Sequence, residues 1–112
     1  MDLQRVTVVD PQRTYSIPTY EVGPDGLVQM PEESVIRFVK GNKADPQAFR
    51  QEGFTAEGLL SVVLTHLKEI NVGELSSRET STAITNLEQS IMWLQRRAEE
   101  RKRRNVLGTY QK

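Results

Sequence analysis

The chain has 112 residues, 37% of them apolar, and fifteen basic side chains balance fifteen acidic ones. That length allows one small domain with a thin core, and the zero net charge argues against bulk attraction to nucleic acid. With no cysteine and a single histidine, His66, a disulfide scaffold, a thiolate nucleophile, a cysteine-built zinc site and a paired-histidine metal site are excluded.

The first residues, Met1-Asp2-Leu3-Gln4-Arg5, lack an apolar stretch, and no run reaches the eighteen apolar residues of a membrane span. The expectation is a chain without signal peptide or span, suited to a reducing cytoplasm.

The first forty residues read as strands. Arg5-Val6-Thr7-Val8-Val9 is short and β-branched, and Pro11 ends it. Tyr15 to Val22 alternates, and Pro18 within it predicts an edge strand or a split one. Gly23-Pro24-Asp25-Gly26 is a turn signal. Leu27–Met30 and Ser34–Val39 complete a small antiparallel sheet. Residues 41–55, with Gly41, Pro46 and Gly53, read as a loop.

Two helices follow, which makes the expected fold α+β: a small N-terminal antiparallel sheet, then a long helical hairpin over 56–104 and a tail over 105–112, all in one domain. Thr55 caps the first helix. Leu59, Leu60, Val63, Leu67 and Ile70 fall within one arc of about 100° at the helical period. His66 lies at the border of that arc, where a packing role is the ordinary expectation. Ser76 and Glu79 have capping-box spacing for the second helix, and no Gly or Pro interrupts the chain from there to Arg104. A helix over 77–104 would be about 42 Å long against about 22 Å for the first. Its apolar stripe, Ala83, Ile84, Leu87, Ile91, Leu94 and Ala98, therefore outreaches its partner. The sheet or another subunit must cover the remainder, and the thin core favours a subunit.

A second stripe lies beside the first: Thr82, Asn86, Trp93, Arg97 and Arg104, with Ser90 and Arg101 at its inner edge. Amide, hydroxyl, indole and guanidinium groups in a row suit a ligand with both bases and phosphates, because arginine forks bind phosphate oxygens and aromatic planes stack on bases. The same stripe suits an interface, with Trp93 as its core and the arginines paired to acidic residues.

Charge is also unevenly spread. Residues 51–95 carry two basic and six acidic groups, whereas residues 96–112 carry seven basic and two acidic. A cationic helix end complements the helix dipole and also forms an anion site. No Gly-rich phosphate loop, Walker motif or HExxH is present, so the residues argue for binding without turnover.

The run from Arg78 to Leu94 resembles the second helix of the phage helical-hairpin sponges, the anti-CBASS and Thoeris anti-defence proteins that sequester cyclic nucleotide signals. The resemblance rests on Arg78-Glu79, Ala83-Ile84-Thr85, Leu87-Glu88 and Met92-Trp93-Leu94. Upstream, Gly53 to Val63 is similar to the family's first hairpin helix. Downstream, Arg104 to Tyr110 is similar to its tail, with Asn105 and Leu107 in place of the family's Gly and Glu. The sheet before the hairpin is closer to the Thoeris anti-defence branch.

The resemblance implies a non-enzymatic binder of cyclic ADP-ribose isomers or cyclic oligonucleotides. It also implies a hexamer built from dimers with pockets between chains and action in the host cytoplasm, while nothing in the residues themselves points to a cofactor or metal. By carry-over, Arg97 and Arg101 hold phosphates with Asn86, Thr82 and Arg78 nearby, and Arg13, Tyr15 and Arg37 are sheet candidates. Two other readings of the basic helix end stay open: a small nucleic-acid-binding protein, and a phage structural or assembly protein that meets an acidic partner.

Overall fold

The computed structural model describes residues 3–39 and 52–104. The expected tail, 105–112, and most of the expected 41–55 loop lie outside the described residues. The chain separates into two compact units, one up to Phe54 and the other from Thr55 onward.

The N-terminal unit is a three-stranded antiparallel meander in the order β1 (Thr7–Asp10), β2 (Thr14–Gly23), β3 (Gly26–Arg37). Between β1 and β2, Gln12 takes a positive φ of 67° and the Arg13 N–H donates to the Asp10 carbonyl at 3.0 Å. Between β2 and β3, Gly26 has φ 119°, a backbone region that side chains bearing a Cβ rarely adopt.

The Pro18 expectation is corrected. β2 is the continuous central strand, not an edge or a split strand. Proline is tolerated because β1 pairs only with residues 14–16, so β2 is flanked by β3 alone at Pro18. The two expected segments of β3 are also one strand, joined through a bulge opposite Thr19, whose hydroxyl donates to the Glu32 carbonyl at 3.0 Å.

Across the sheet, Glu33 of β3 accepts from Arg5 at 2.6 Å and from the Ser16 hydroxyl at 2.5 Å. Residues 52–54 lie on the far end of β3, where Phe54 N–H donates to the Arg37 carbonyl and Val39 N–H to the Phe54 carbonyl, both at 2.8 Å. A Cβ on Gly53 would sit within 2.5–2.7 Å of the backbone of Arg37–Val39, so only glycine admits this approach.

The second unit is an antiparallel hairpin of α1 (Ala56–Ile70) and α2 (Arg78–Arg103). Thr55 caps α1 as expected, accepting from Gly58 N–H at 3.0 Å. The cap of α2 is Ser77, one residue later than the Ser76 expectation: Ser77 accepts from Thr80 N–H, while the Ser76 hydroxyl donates to the Gly73 carbonyl.

The turn between the helices is fastened by a residue that periodicity does not reveal. The Asn71 side chain accepts from Ser77 N–H and donates to the Ser81 hydroxyl, both at 3.0 Å. Each such bond contributes about 0.5–1.5 kcal/mol net, so Asn71→Ala should lower hairpin stability by about 1–3 kcal/mol in a denaturant melt. An unchanged midpoint would show that the turn holds without it.

The seam is built on alternating steps of three and four. On α2 the less exposed positions are Thr80, Ile84, Leu87, Ile91, Leu94, Ala98 and Arg101; on α1 they are Glu57, Leu60, Leu64 and Leu67, with Leu59 beside them. This is the repeat of two helices packed along one another. It shifts the expected stripes: Leu64 replaces Val63 and Ile70, which are 41% and 40% exposed, and Ala83 faces outward. Ile91, at 8% exposure, is the one buried apolar residue among those described. Lys68 and Glu88 join the helices at 3.3 Å on the exposed rim.

Candidate functional site

The C-terminal half of α2 carries the groups of interest. At 100° per residue, Trp93, Arg96, Arg97, Glu100 and Arg103 crowd one side of the helix. They line a shallow recess of 610 Å³ together with Glu99. Trp93 is 60% exposed, an unusual placement for so large an aromatic ring unless something covers or uses it. The Arg96 guanidinium lies over the indole, 4.9 Å from the ring centroid, a cation–π arrangement. Arg97 is exposed one helical turn along from Trp93.

Glu100 organises the far end of the recess. Its carboxylate accepts from Arg103 Nε at 3.1 Å and from Arg103 Nη2 at 2.5 Å, a two-pronged fork, and lies 3.5 Å from Arg104 Nε. The Arg103 hydrogen bond holds the Glu100 carboxyl below its ordinary range, outweighing the desolvation that opposes it, and the charges of Arg103 and Arg104 add to the lowering. Because the folded-state value is the lower one, the pair is intact at neutral pH and is lost only as acid titrates through that lowered value.

Arg101 departs from expectation. The polar stripe places it beside Arg97 as a phosphate holder, yet it is 7% exposed and ends the α2 seam. Burial, then the neighbouring charges of Arg97 and Arg104, push its pKa down, though a guanidinium stays charged at neutral pH. Its substitution therefore acts on packing as well as on any ligand.

The remaining carried-over residues are spread along α2. Arg78 and Thr82 lie in its first two turns, and Asn86 in the third. From Arg78 to Arg101 the axial rise is about 34 Å, so one chain does not gather all five into one pocket. The Thr82 hydroxyl donates to the Arg78 carbonyl at 2.9 Å and the Ser90 hydroxyl to the Asn86 carbonyl at 3.0 Å, the back-bonding usual for hydroxyls inside helices.

In the sheet unit, Arg13 reaches the Phe38 and Glu52 carbonyls at 3.3 and 3.4 Å, and Tyr15 meets the Phe38 ring edge-on at 5.7 Å. Arg13 thus ties Glu52 to the sheet, while Tyr15 packs within it; Arg37 is exposed. His66 is not a packing residue: it is exposed and lines a second shallow recess with Ser61, Val62, Thr65 and Glu69 on the outer face of α1. Among the described residues no group of three or more His, Cys, Asp or Glu side chains converges to hold a metal, and no helix is long and apolar enough to cross a membrane.

The sequence reading missed Arg96, Glu99 and Glu100 as lining residues. The signal was present in the spacing, since Arg96 is three and Glu100 seven residues from Trp93, the offsets that share a helix face.

The profile of a protein family described as "Acb2/Tad1, hairpin domain" matches residues 30–99, more than half of the chain. A protein of Bacillus phage SBSphiJ7 named "Thoeris anti-defense 1" is 42% identical over 60 residues, which cover 54% of this chain and 42% of that phage protein. The matched stretch thus spans less than half of the relative's length. The family match takes in two thirds of β3, all of α1 and most of α2, including Trp93, Arg96, Arg97 and Glu99, so the chain belongs to the Acb2/Tad1 hairpin-domain family.

Proposed function

We propose that the protein is a non-enzymatic sponge that binds and sequesters immune signalling nucleotides, cyclic ADP-ribose isomers or cyclic oligonucleotides, and thereby blocks anti-phage defence in the host cytoplasm. The observation that carries this reading is the solvent-facing Trp93 in one recess with two arginines, Arg96 stacked on it and Arg97 one turn along. An aromatic plane beside fixed cations matches a base joined to a phosphate. The recess gathers groups of recognition, and the anti-defence name of the phage relative points the same way.

The protomers assemble into a hexamer built from dimers, with Arg97, Arg101, Asn86, Thr82 and Arg78 contributing to shared pockets. Two facts support assembly. α2 is 26 residues long and α1 only 15, so about 16 Å of α2 has no counterpart in α1. Met92 and Trp93 are 45% and 60% exposed, which is costly for an isolated hairpin. A sponge built from copies also explains how candidate residues spread along one helix can meet: a neighbouring copy brings its own Arg78 end to another's Arg97 end.

Native mass spectrometry after incubation with a panel of cyclic nucleotides tests both parts. The expected result is a multimer, sixfold the protomer mass, that retains a ligand recovered chemically intact after heating. A bare monomer overturns the assembly, and recovery of no ligand or of a cleaved one overturns the sponge.

A further inference from the structure

Glu99 and Glu100 stand in the last turns of α2, where the helix dipole disfavours negative charge. They also line the recess to which Arg96, Arg97 and Arg103 bring positive charge. A carboxylate there weakens an anion site unless it has a task within it. Glu100 has a specific partner: its two oxygens fill the planar fork of Arg103, the same geometry with which a guanidinium grips two phosphate oxygens. Both side chains remain open to solvent, at 50% and 71% exposure, so the pair is held weakly and an arriving dianion can replace it.

We infer that Glu100 is a built-in competitor for phosphate: it occupies the Arg103 fork in the free protein and is displaced when the phosphate of a ligand stacked on Trp93 takes that fork. This rests on the nucleotide-binding reading and deepens it, by making Arg103 a phosphate ligand and Glu100 the residue that sets the threshold of affinity. The ligand class follows from the arrangement. It must carry an aromatic ring and at least one phosphate within reach of α2 residues 93–103, a span of about 15 Å. An unphosphorylated nucleoside does not dislodge the carboxylate. Arg103 thus belongs to the recess.

The experiment uses Glu100→Gln, which keeps the size of the side chain and removes its charge. Trp93 is the sole tryptophan, so its fluorescence reports on the recess directly. Inorganic pyrophosphate, a panel of cyclic dinucleotides and cyclic ADP-ribose isomers, and adenosine are titrated into the full chain and the variant. Glu100→Gln should bind pyrophosphate and any binding nucleotide about threefold tighter or more, the scale of releasing one exposed ion pair, with no gain for adenosine. Glu69→Gln, on the outer face of α1, makes the same change in net charge and should show no such gain. In an Arg103→Ala background the gain from Glu100→Gln should shrink, since the contested fork is gone.

Equal or weaker binding by Glu100→Gln overturns the inference, as does an equal gain from Glu69→Gln or an undiminished gain without Arg103. The pyrophosphate arm reads the competition even if no nucleotide of the panel binds. Binding of nucleotides by the native chain with no gain in Glu100→Gln therefore removes the competitor and leaves the sponge, whereas a gain for pyrophosphate with no nucleotide bound removes the sponge and leaves the anion site.

Discussion

Ile91→Ala is expected to destabilise the hairpin by about 2–5 kcal/mol, the range for truncating a buried aliphatic side chain whose site cannot collapse. Ile91 lies midway along α2 at 8% exposure, with Leu87 and Leu94 partly covered on either side in the three-and-four repeat. Two packed helices leave few ways to fill a lost side chain without sliding one along the other, and Asn71 and the Lys68–Glu88 pair oppose such sliding. Denaturant melts at one fixed protomer concentration measure the loss, because assembly makes apparent stability depend on concentration. Val62→Ala provides the comparison. Val62 is 65% exposed and its truncation should fall within about 0.5 kcal/mol of the native chain. If the two variants melt alike, the seam does not run through Ile91.

The sheet and the hairpin were legible because each rests on a local signal. The Pro24-Asp25-Gly26 turn and the β-branched runs specify the meander, and the Thr55 cap and an uninterrupted stretch free of Gly and Pro specify the helices. The errors fell where a local rule met a longer-range fact. Pro18 argues for an edge by its missing N–H, but the shortness of β1 creates an edge inside a central strand. Val63 and Ile70 fit a helical arc, yet the partner helix keeps the expected Leu60 and Leu67 and selects Leu64 between them. At the recess, type and spacing identified Trp93 and Arg97. Burial of Arg101 and the Glu100–Arg103 fork were not legible, because charged residues on one helix have several partners at three- and four-residue spacing and only side-chain geometry chooses among them.

The largest effect on ligand binding is expected from Trp93→Ala. Stacking of a base on an aromatic side chain is worth about 1–3 kcal/mol, so the variant should lose about five- to 150-fold in affinity for a cyclic nucleotide, at about 1.4 kcal/mol per decade. Arg97→Ala should lose about tenfold or more, since a charge-assisted hydrogen bond contributes about 1.5–3 kcal/mol. Both side chains are exposed in the protomer, so its secondary structure should persist in circular dichroism. Arg101→Ala should behave differently and lower stability along with affinity, because that arginine is buried and its removal leaves a void in the seam. Lys102→Ala supplies the charge-matched control. Lys102 is exposed and nine residues beyond Trp93, which places it on the opposite side of α2 at about 100° per residue. A twofold change or less there, beside the large losses at Trp93 and Arg97, locates the ligand on the recess. If all the cation variants weaken binding equally and affinity falls steeply with salt, the basic helix end acts as diffuse charge, and a nucleic-acid partner accounts for it better than a nucleotide pocket.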